Sequence, residues 1–168
     1  MKRFSIFTLP SATFFLLLSF LFAFVSDKNF PSTKIDGLLA RLDKGGDTTY
    51  VVNFWATWCG PCVHELHYFT ELDSAYSGKK VKVILVSNDF KNEIQTKLVP
   101  FIERRKIKTE VLFLDETNDN EWIPKVDKDW QGNIPATLIR NTKKNYRHFL
   151  PRETTYAELD SLMKAVNN

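Results

Sequence analysis

The chemistry available to this chain of 168 residues is concentrated in one stretch, NFWATWCGPCVHEL, from Asn53 to Leu66. It holds both cysteines of the sequence, Cys59 and Cys62, in a CxxC pattern. Such a pair can supply half of a zinc site, staple the chain, or cycle between dithiol and disulfide. A structural zinc needs four ligands. His64 and His67 are near, but a CxxCxHxxH run at a single helix start matches no common finger spacing. They read as partly exposed helix histidines, and no metal is expected. A staple across so short a loop constrains little of the unfolded chain. A reactive pair is favoured by position. TTYVVNFWA (Thr48 to Ala56) is β-branched, aromatic and uncharged, as a strand covered on both faces should be. Pro61 suits the first turn of a helix running to about Tyr76. Cys59 then stands at a helix N-terminus, where unpaired N–H groups and the helix dipole favour a thiolate. The dipole contributes about 0.3–2 kcal/mol, which at about 1.36 kcal/mol per unit lowers a thiol pKa by roughly one unit. That brings a thiol from about 8.5 towards 7. Cys59 is the expected nucleophile, and Cys62, one turn in, the resolving thiol.

The elements that must hold this loop are readable in outline. IDGLLARLDKGG (Ile35 to Gly46) reads as a short helix or strand ending in a glycine turn. VKVILVS (Val81 to Ser87) and EVLFLD (Glu110 to Asp115) read as buried strands. Asn92 to Lys106 reads as a helix that Pro100 can kink, and Asn118 to Val126 as a short helix. Ala136 to Arg140 and Tyr146 to Leu150 flank the turn Asn141-Thr142-Lys143-Lys144 as a hairpin, and Thr154 to Val166 closes the chain with a helix. A βαβ half followed by a ββα half predicts an α/β sandwich with a mixed sheet.

Net charge is +3, with Lys2 and Arg3 supplying two of those charges. No basic stripe is present, so a nucleic-acid partner is not expected. Lys2 and Arg3 precede FFLLLSFLFAFV, a run of 12 residues in which Ser19 is the one polar member. This is the pattern of an export signal. Phe4 to Val25 gives 22 mostly apolar residues, long enough to span a bilayer. Residues 1–26 are therefore expected to be a signal peptide or an N-terminal membrane anchor, with membrane attachment through residues 4–25. Residues 27–33 are expected as a polar linker and 34–168 as the folded domain, working outside the cytoplasm.

Phe54-Trp55-Ala56-Thr57-Trp58-Cys59-Gly60-Pro61-Cys62 resembles the active-site signature of the thioredoxin superfamily. GNIPATLI resembles the loop in which that superfamily's cis-proline faces the CxxC. The resemblance covers about Thr33 to Asn168. It implies a thioredoxin-like three-layer sandwich, a mixed central sheet with helices on both faces. It also implies that Pro135 is cis, that Ile134 lies against the disulfide, and that Trp58, Gly60, Pro61, Ile134 and Pro135 take the substrate. Two details resemble the exported TlpA/ResA-like branch. Asn53 stands where cytoplasmic thioredoxins carry a buried aspartate, and as a buried amide it is expected to be satisfied by backbone. Glu65, three residues after Cys62 and on the same helix face, matches a functional glutamate of that branch. It can take the Cys62 proton if burial raises its pKa, or serve as a first-turn charge complementing the helix dipole. The stretch Asn88 to Thr109 resembles the branch's central insertion.

The resemblance implies a thiol:disulfide oxidoreductase acting on protein disulfides, with the Cys59–Cys62 pair and no other cofactor. Gly60-Pro61 adds no positive charge to hold a thiolate, so the pair should be reducing. The donor that re-reduces it would be a membrane thiol transporter of the DsbD or CcdA kind, in the periplasm or cell envelope. The alternatives are a disulfide oxidase or isomerase, and a redox-inactive module that captures peptides on Trp55, Trp58 and Ile134.

Overall fold

The computed structural model describes residues 30–167; the expected signal or anchor and the start of the linker lie outside them. Six strands and five α-helices follow in the order β1 (Ser32–Thr33), α1 (Ile35–Lys44), β2 (Thr49–Trp55), α2 (Gly60–Ala75), β3 (Val81–Ser87), α3 (Val99–Arg105), β4 (Glu110–Leu114), α4 (Asp119–Val126), β5 (Ala136–Asn141), β6 (Tyr146–Leu150) and α5 (Tyr156–Asn167). The strands form one sheet in the order β1-β4-β3-β2-β5-β6. β1, β4, β3 and β2 run parallel, and β5 and β6 are antiparallel additions beside β2. The uncharged β2 is buried along its whole length, as a strand with a neighbour on each side and helices above and below must be.

Alternation along β2 sorts the core into two layers. Val51 and Trp55 point to one face, where they pack with Phe69 and Leu72 of α2, Phe101 of α3, and Leu159 and Met163 of α5. Val52 and Phe54 point to the other and meet Leu38 and Leu42 of α1 and Trp122 and Val126 of α4. Phe54 lies between two indoles, its ring centroid 6.2 Å from Trp122 and 5.2 Å from Trp130. Burying each of these large side chains contributes about 1.5–3 kcal/mol. The expected three-layer sandwich, helices on both faces of a mixed sheet, is the architecture found.

One alternative left open is settled, and two expectations are revised. The stretch from Ile35 is a helix, because Ile35, Leu38 and Leu42 form one buried stripe at helical spacing. The linker is not all linker: Ser32 and Thr33 pair in parallel with Phe113 and Leu114 as an edge strand, and Phe30 packs against the core. The helix over Asn92 to Lys106 is broken into a 3₁₀ turn (Lys91–Glu93), a π-helical stretch (Ile94–Leu98) and α3. Pro100 explains the break. It has no N–H for the carbonyl one turn back, and its ring crowds that carbonyl. A wider turn, in which the Val99 N–H reaches the Ile94 carbonyl, relieves the crowding.

Candidate active site

The β2 strand delivers Ala56, Thr57 and Trp58 to the carboxyl end of the parallel strands, and α2 starts one residue further on, at Gly60. Cys59 is the N-cap of α2, and Pro61 occupies its first turn, the place where a missing N–H costs nothing. Cys59 and Cys62 are joined as a disulfide, their Cα atoms 5.3 Å apart. The two sulfurs are unequal: Cys59 retains 6% exposure and Cys62 has none. The Cys62 N–H donates to Cys59 Sγ at 3.3 Å. Once the bond is reduced, that N–H and the helix end favour a thiolate on Cys59. Gly60 and Pro61 are exposed, and a Cβ added at Gly60 would meet nothing within 4 Å.

Opposite the disulfide, the Ile134–Pro135 bond is cis, as the loop GNIPATLI implies. The Ile134 carbonyl oxygen lies 3.8 Å from Cys59 Sγ. A disulfide sulfur carries no proton, so this is a van der Waals approach. Trp58 is 56% exposed and stacks on Phe90, itself 61% exposed, with ring centroids 6.4 Å apart. Trp58, Phe90 and Ile134 line a groove of about 360 Å³ beside the reactive sulfur. Of the residues expected to take substrate, Trp58 and Ile134 share this groove, Gly60 and Pro61 are exposed at the start of α2, and Pro135 is buried.

Glu65 is fully buried, which rules out the solvated first-turn charge. Its Oε1 accepts the Asn53 amide at 2.8 Å, and its Oε2 accepts the Thr154 N–H at 2.7 Å. Burial pushes its pKa up to about 7, while the two donors hold it down. Asn53 is correspondingly not satisfied by backbone. Its Nδ2 donates to Glu65 and, at 3.2 Å, to Thr137 Oγ1, its neighbour across β5, while Oδ1 has no hydrogen-bond partner. His64 and His67 are exposed on α2, as expected. His64 pairs with Glu153 at 2.5 Å, and His67 Nδ1 lies 2.8 Å from the His64 carbonyl.

The AhpC/TSA family model matches residues 27–148. The chain belongs to the AhpC/TSA family. One relative, the thiol-disulfide oxidoreductase ResA of Oceanobacillus iheyensis, is 36% identical over 58 residues, which cover 34% of this chain and 30% of that protein. The match therefore spans under a third of the relative's length. A thioredoxin-related protein from Neisseria meningitidis serogroup B superposes with a TM-score of 0.61 at 22% identity, covering 71% of this chain and 84% of its own. A thiol:disulfide interchange protein from Chlorobium tepidum gives 0.60 at 20% identity, covering 83% and 97%. The fold of this AhpC/TSA family member is thioredoxin-like.

One residue outside the CxxC and cis-proline motifs also shapes the site. Asp89, just past β3, is 5% exposed. Its carboxylate accepts the Thr57 N–H at 3.1 and 3.2 Å, the Thr57 hydroxyl at 2.5 Å and the Ser87 hydroxyl at 2.7 Å. It clasps the loop that carries Trp58 and Cys59 to the end of β3. The available signal was the spacing Ser87-x-Asp89 at the end of a buried strand, where a serine can hold an aspartate inward. Asp89→Asn is expected to lower the unfolding free energy by about 1–3 kcal/mol, because one acceptor becomes a donor facing donors. Urea unfolding of the oxidised protein at pH 7 measures it. An unchanged midpoint would mean that the loop is held without Asp89.

Proposed function

We propose that this protein is a thiol:disulfide oxidoreductase that works outside the cytoplasm and reduces disulfides in other proteins. The observation that carries the reading is the unequal Cys59–Cys62 pair at the tip of α2, its more accessible sulfur facing the Ile134 carbonyl. In the reduced protein the Cys59 thiolate attacks one sulfur of a substrate disulfide. That S–S bond breaks, one substrate sulfur leaves as a thiolate, and a Cys59–substrate disulfide forms. Glu65 then takes the Cys62 proton, and the Cys62 thiolate attacks Cys59 Sγ. The Cys59–substrate bond breaks, the second substrate thiolate leaves, and the Cys59–Cys62 disulfide is restored. Two electrons pass to the substrate, with the cysteine pair as the whole electron carrier. An extended substrate segment lies on Trp58, Gly60, Pro61, Ile134 and Pro135, its backbone pairing with the main chain at Ile134. Reduction of insulin with a dithiol donor tests the activity; a protein that only captures peptides would leave insulin intact.

The direction of electron flow follows from charge. Gly60 and Pro61 place no cation beside Cys59, and the His64 ring is engaged by Glu153. A strong oxidant needs its reduced form held more firmly than that. The reduction potential is expected nearer about −270 mV, as in thioredoxin, than about −120 mV, as in DsbA. At roughly 30 mV per decade the two differ by about five decades in the exchange constant. Equilibration with glutathione reads the value, and one above about −180 mV would overturn the reductive assignment. Export rests on Lys2, Arg3 and the apolar run that follows them. Among the described residues no helix is long and apolar enough to cross a membrane, so attachment would fall to residues 4–25. A membrane thiol donor of the DsbD or CcdA kind would return the electrons.

A further inference from the structure

Between β6 and α5 runs a strap, residues 151–155, that touches both halves of the site. The β5–β6 register sets Leu150 opposite Thr137, which brings the next residue, Pro151, back beside the loop of the cis-proline. There the Asn133 amide donates to the Pro151 carbonyl at 2.7 Å. Asn133 is itself fixed, because the buried Trp130 donates its indole N–H to the Asn133 carbonyl at 2.9 Å. Three residues further on, Thr154 is buried, and its N–H is the donor on Glu65 Oε2. Its hydroxyl donates to Glu158 at 2.8 Å, tying this end to α5. Glu153 pins the strap to α2 from outside through His64. Asn133 and Glu65 belong to different elements, and the strap connects them by a hydrogen bond at each end.

We infer that this strap relays the position of the Asn133–Pro135 loop to Glu65, which makes Asn133 a positioning residue for the resolving step. The inference rests on the proposed role of Glu65 as acceptor of the Cys62 proton. A donor aimed at a carboxylate favours its ionised form. With the strap seated, the Thr154 N–H keeps part of the Glu65 population ionised, and so able to take a proton, near neutral pH. If the strap lifts, that donor goes, and Glu65 holds its proton to higher pH. The groups around Glu65 are few. Cys62 and His64 come from α2, Glu153 from the strap and, through Thr154, Glu158 from α5, while β2 and β5 contribute the uncharged Asn53 and Thr137. Asn133 carries no charge, so replacing it alters none of these directly. A substrate segment that presses on the Ile134 main chain would be felt at Glu65 by the same route.

The test is stopped-flow reaction of the full reduced chain with a peptide disulfide, resolving formation and decay of the Cys59–substrate disulfide from pH 5 to 9. Asn133 is exposed, so Asn133→Ala is a mild change to the fold. It is expected to slow the decay phase at pH 7 by roughly three- to tenfold, the rate equivalent of one hydrogen bond, and to move that phase's pH midpoint upward. Asn133→Gln, which keeps an amide donor, should restore part of the rate. In a Glu65→Gln background, Asn133→Ala should slow decay no further, because the two act through one group. An unshifted midpoint, or the same slowing in both backgrounds, would overturn the relay while leaving the proposed function standing. If Glu65→Gln alone leaves decay untouched, the proton-acceptor role falls and the relay with it. If no peptide is reduced at all, the proposed function falls first.

Discussion

A Cys62→Ser protein should stop after the first half of its reaction and remain bonded to its substrate. The structure separates the two sulfurs by exposure and by surroundings. Cys59 caps the helix, accepts the Cys62 N–H and retains some exposure, whereas Cys62 has none and is sealed among core side chains. On the proposed mechanism Cys59 meets the substrate disulfide, and Cys62 lies behind it to break the bond that results. Turnover of insulin is expected to vanish in Cys62→Ser, while an adduct through Cys59 accumulates to one per chain and dissolves on adding a dithiol. Cys59→Ser should form no adduct and show no turnover. Unfolding does not explain such losses away. Closing a loop with a sequence separation of 3 contributes only about 2 kcal/mol in the chain-entropy model, and both variants keep the rest of the core. Intact mass before and after dithiol treatment gives the answer. An adduct that forms on Cys62 in Cys59→Ser as readily as on Cys59 in Cys62→Ser would refute the division of labour.

The placement of the two cysteines was legible in the sequence because everything behind it is local. A buried strand, a short loop and a helix start lie within Thr48 to Leu66, and Pro61 fixes the phase of the helix. The partners of Glu65 were not legible, since they arrive from sequence separations of 12 and 89 residues. Helical spacing can place Glu65 on the face of Cys62, but it cannot say that Asn53 and Thr154 will close over the carboxylate. Asn53 is buried as expected, but its amide meets Glu65 and Thr137 rather than backbone. The register that sets it opposite Thr137 depends on the antiparallel β5, far along the chain. Asp89 has the same difficulty: an aspartate after a strand usually marks a solvated turn, and only the fold turns it under the Thr57 loop. Ser32–Thr33 was missed for a different reason, because two residues are too few to carry an alternation. The break before Pro100 was half legible. A proline announces that the helix must yield, but not whether by a kink or by a wider turn.

Replacing Glu65 with glutamine should slow the protein and make it more stable at high pH. Burial, which penalises its charge, pushes the pKa of Glu65 up from the ordinary 4.5 to about 7 in the fold. For a carboxylate raised in this way, the folded state holds a proton that the unfolded chain has already released. Stability therefore falls as pH rises through the window from about 4.5 to about 7, and is level on either side. At about 1.36 kcal/mol per unit, the loss across that window is on the order of 3 kcal/mol. Glutamine cannot ionise, so the variant should lose this slope and exceed the wild type by about 1–3 kcal/mol at pH 8. The new amide meets two donors where it can accept only one of them. Asn53 has an unpartnered Oδ1, and turning its amide over offers that oxygen to the incoming NH₂, which limits the cost. On the proposed mechanism the same substitution removes the group that takes the Cys62 proton. Resolution of the mixed disulfide is expected to slow by about 10²-fold, the lower end for a lost general base, while the first attack by Cys59 continues. In the reduced protein the wild-type decay phase should therefore rise with pH through a macroscopic midpoint that the variant lacks. Urea unfolding of the oxidised form at pH 5 and pH 8, and stopped-flow traces of the reduced form, measure the two halves separately. A Glu65→Gln protein with the wild-type pH slope in stability would mean that the buried carboxylate is already ionised at pH 5. Unchanged decay kinetics would mean that Cys62 loses its proton to another group.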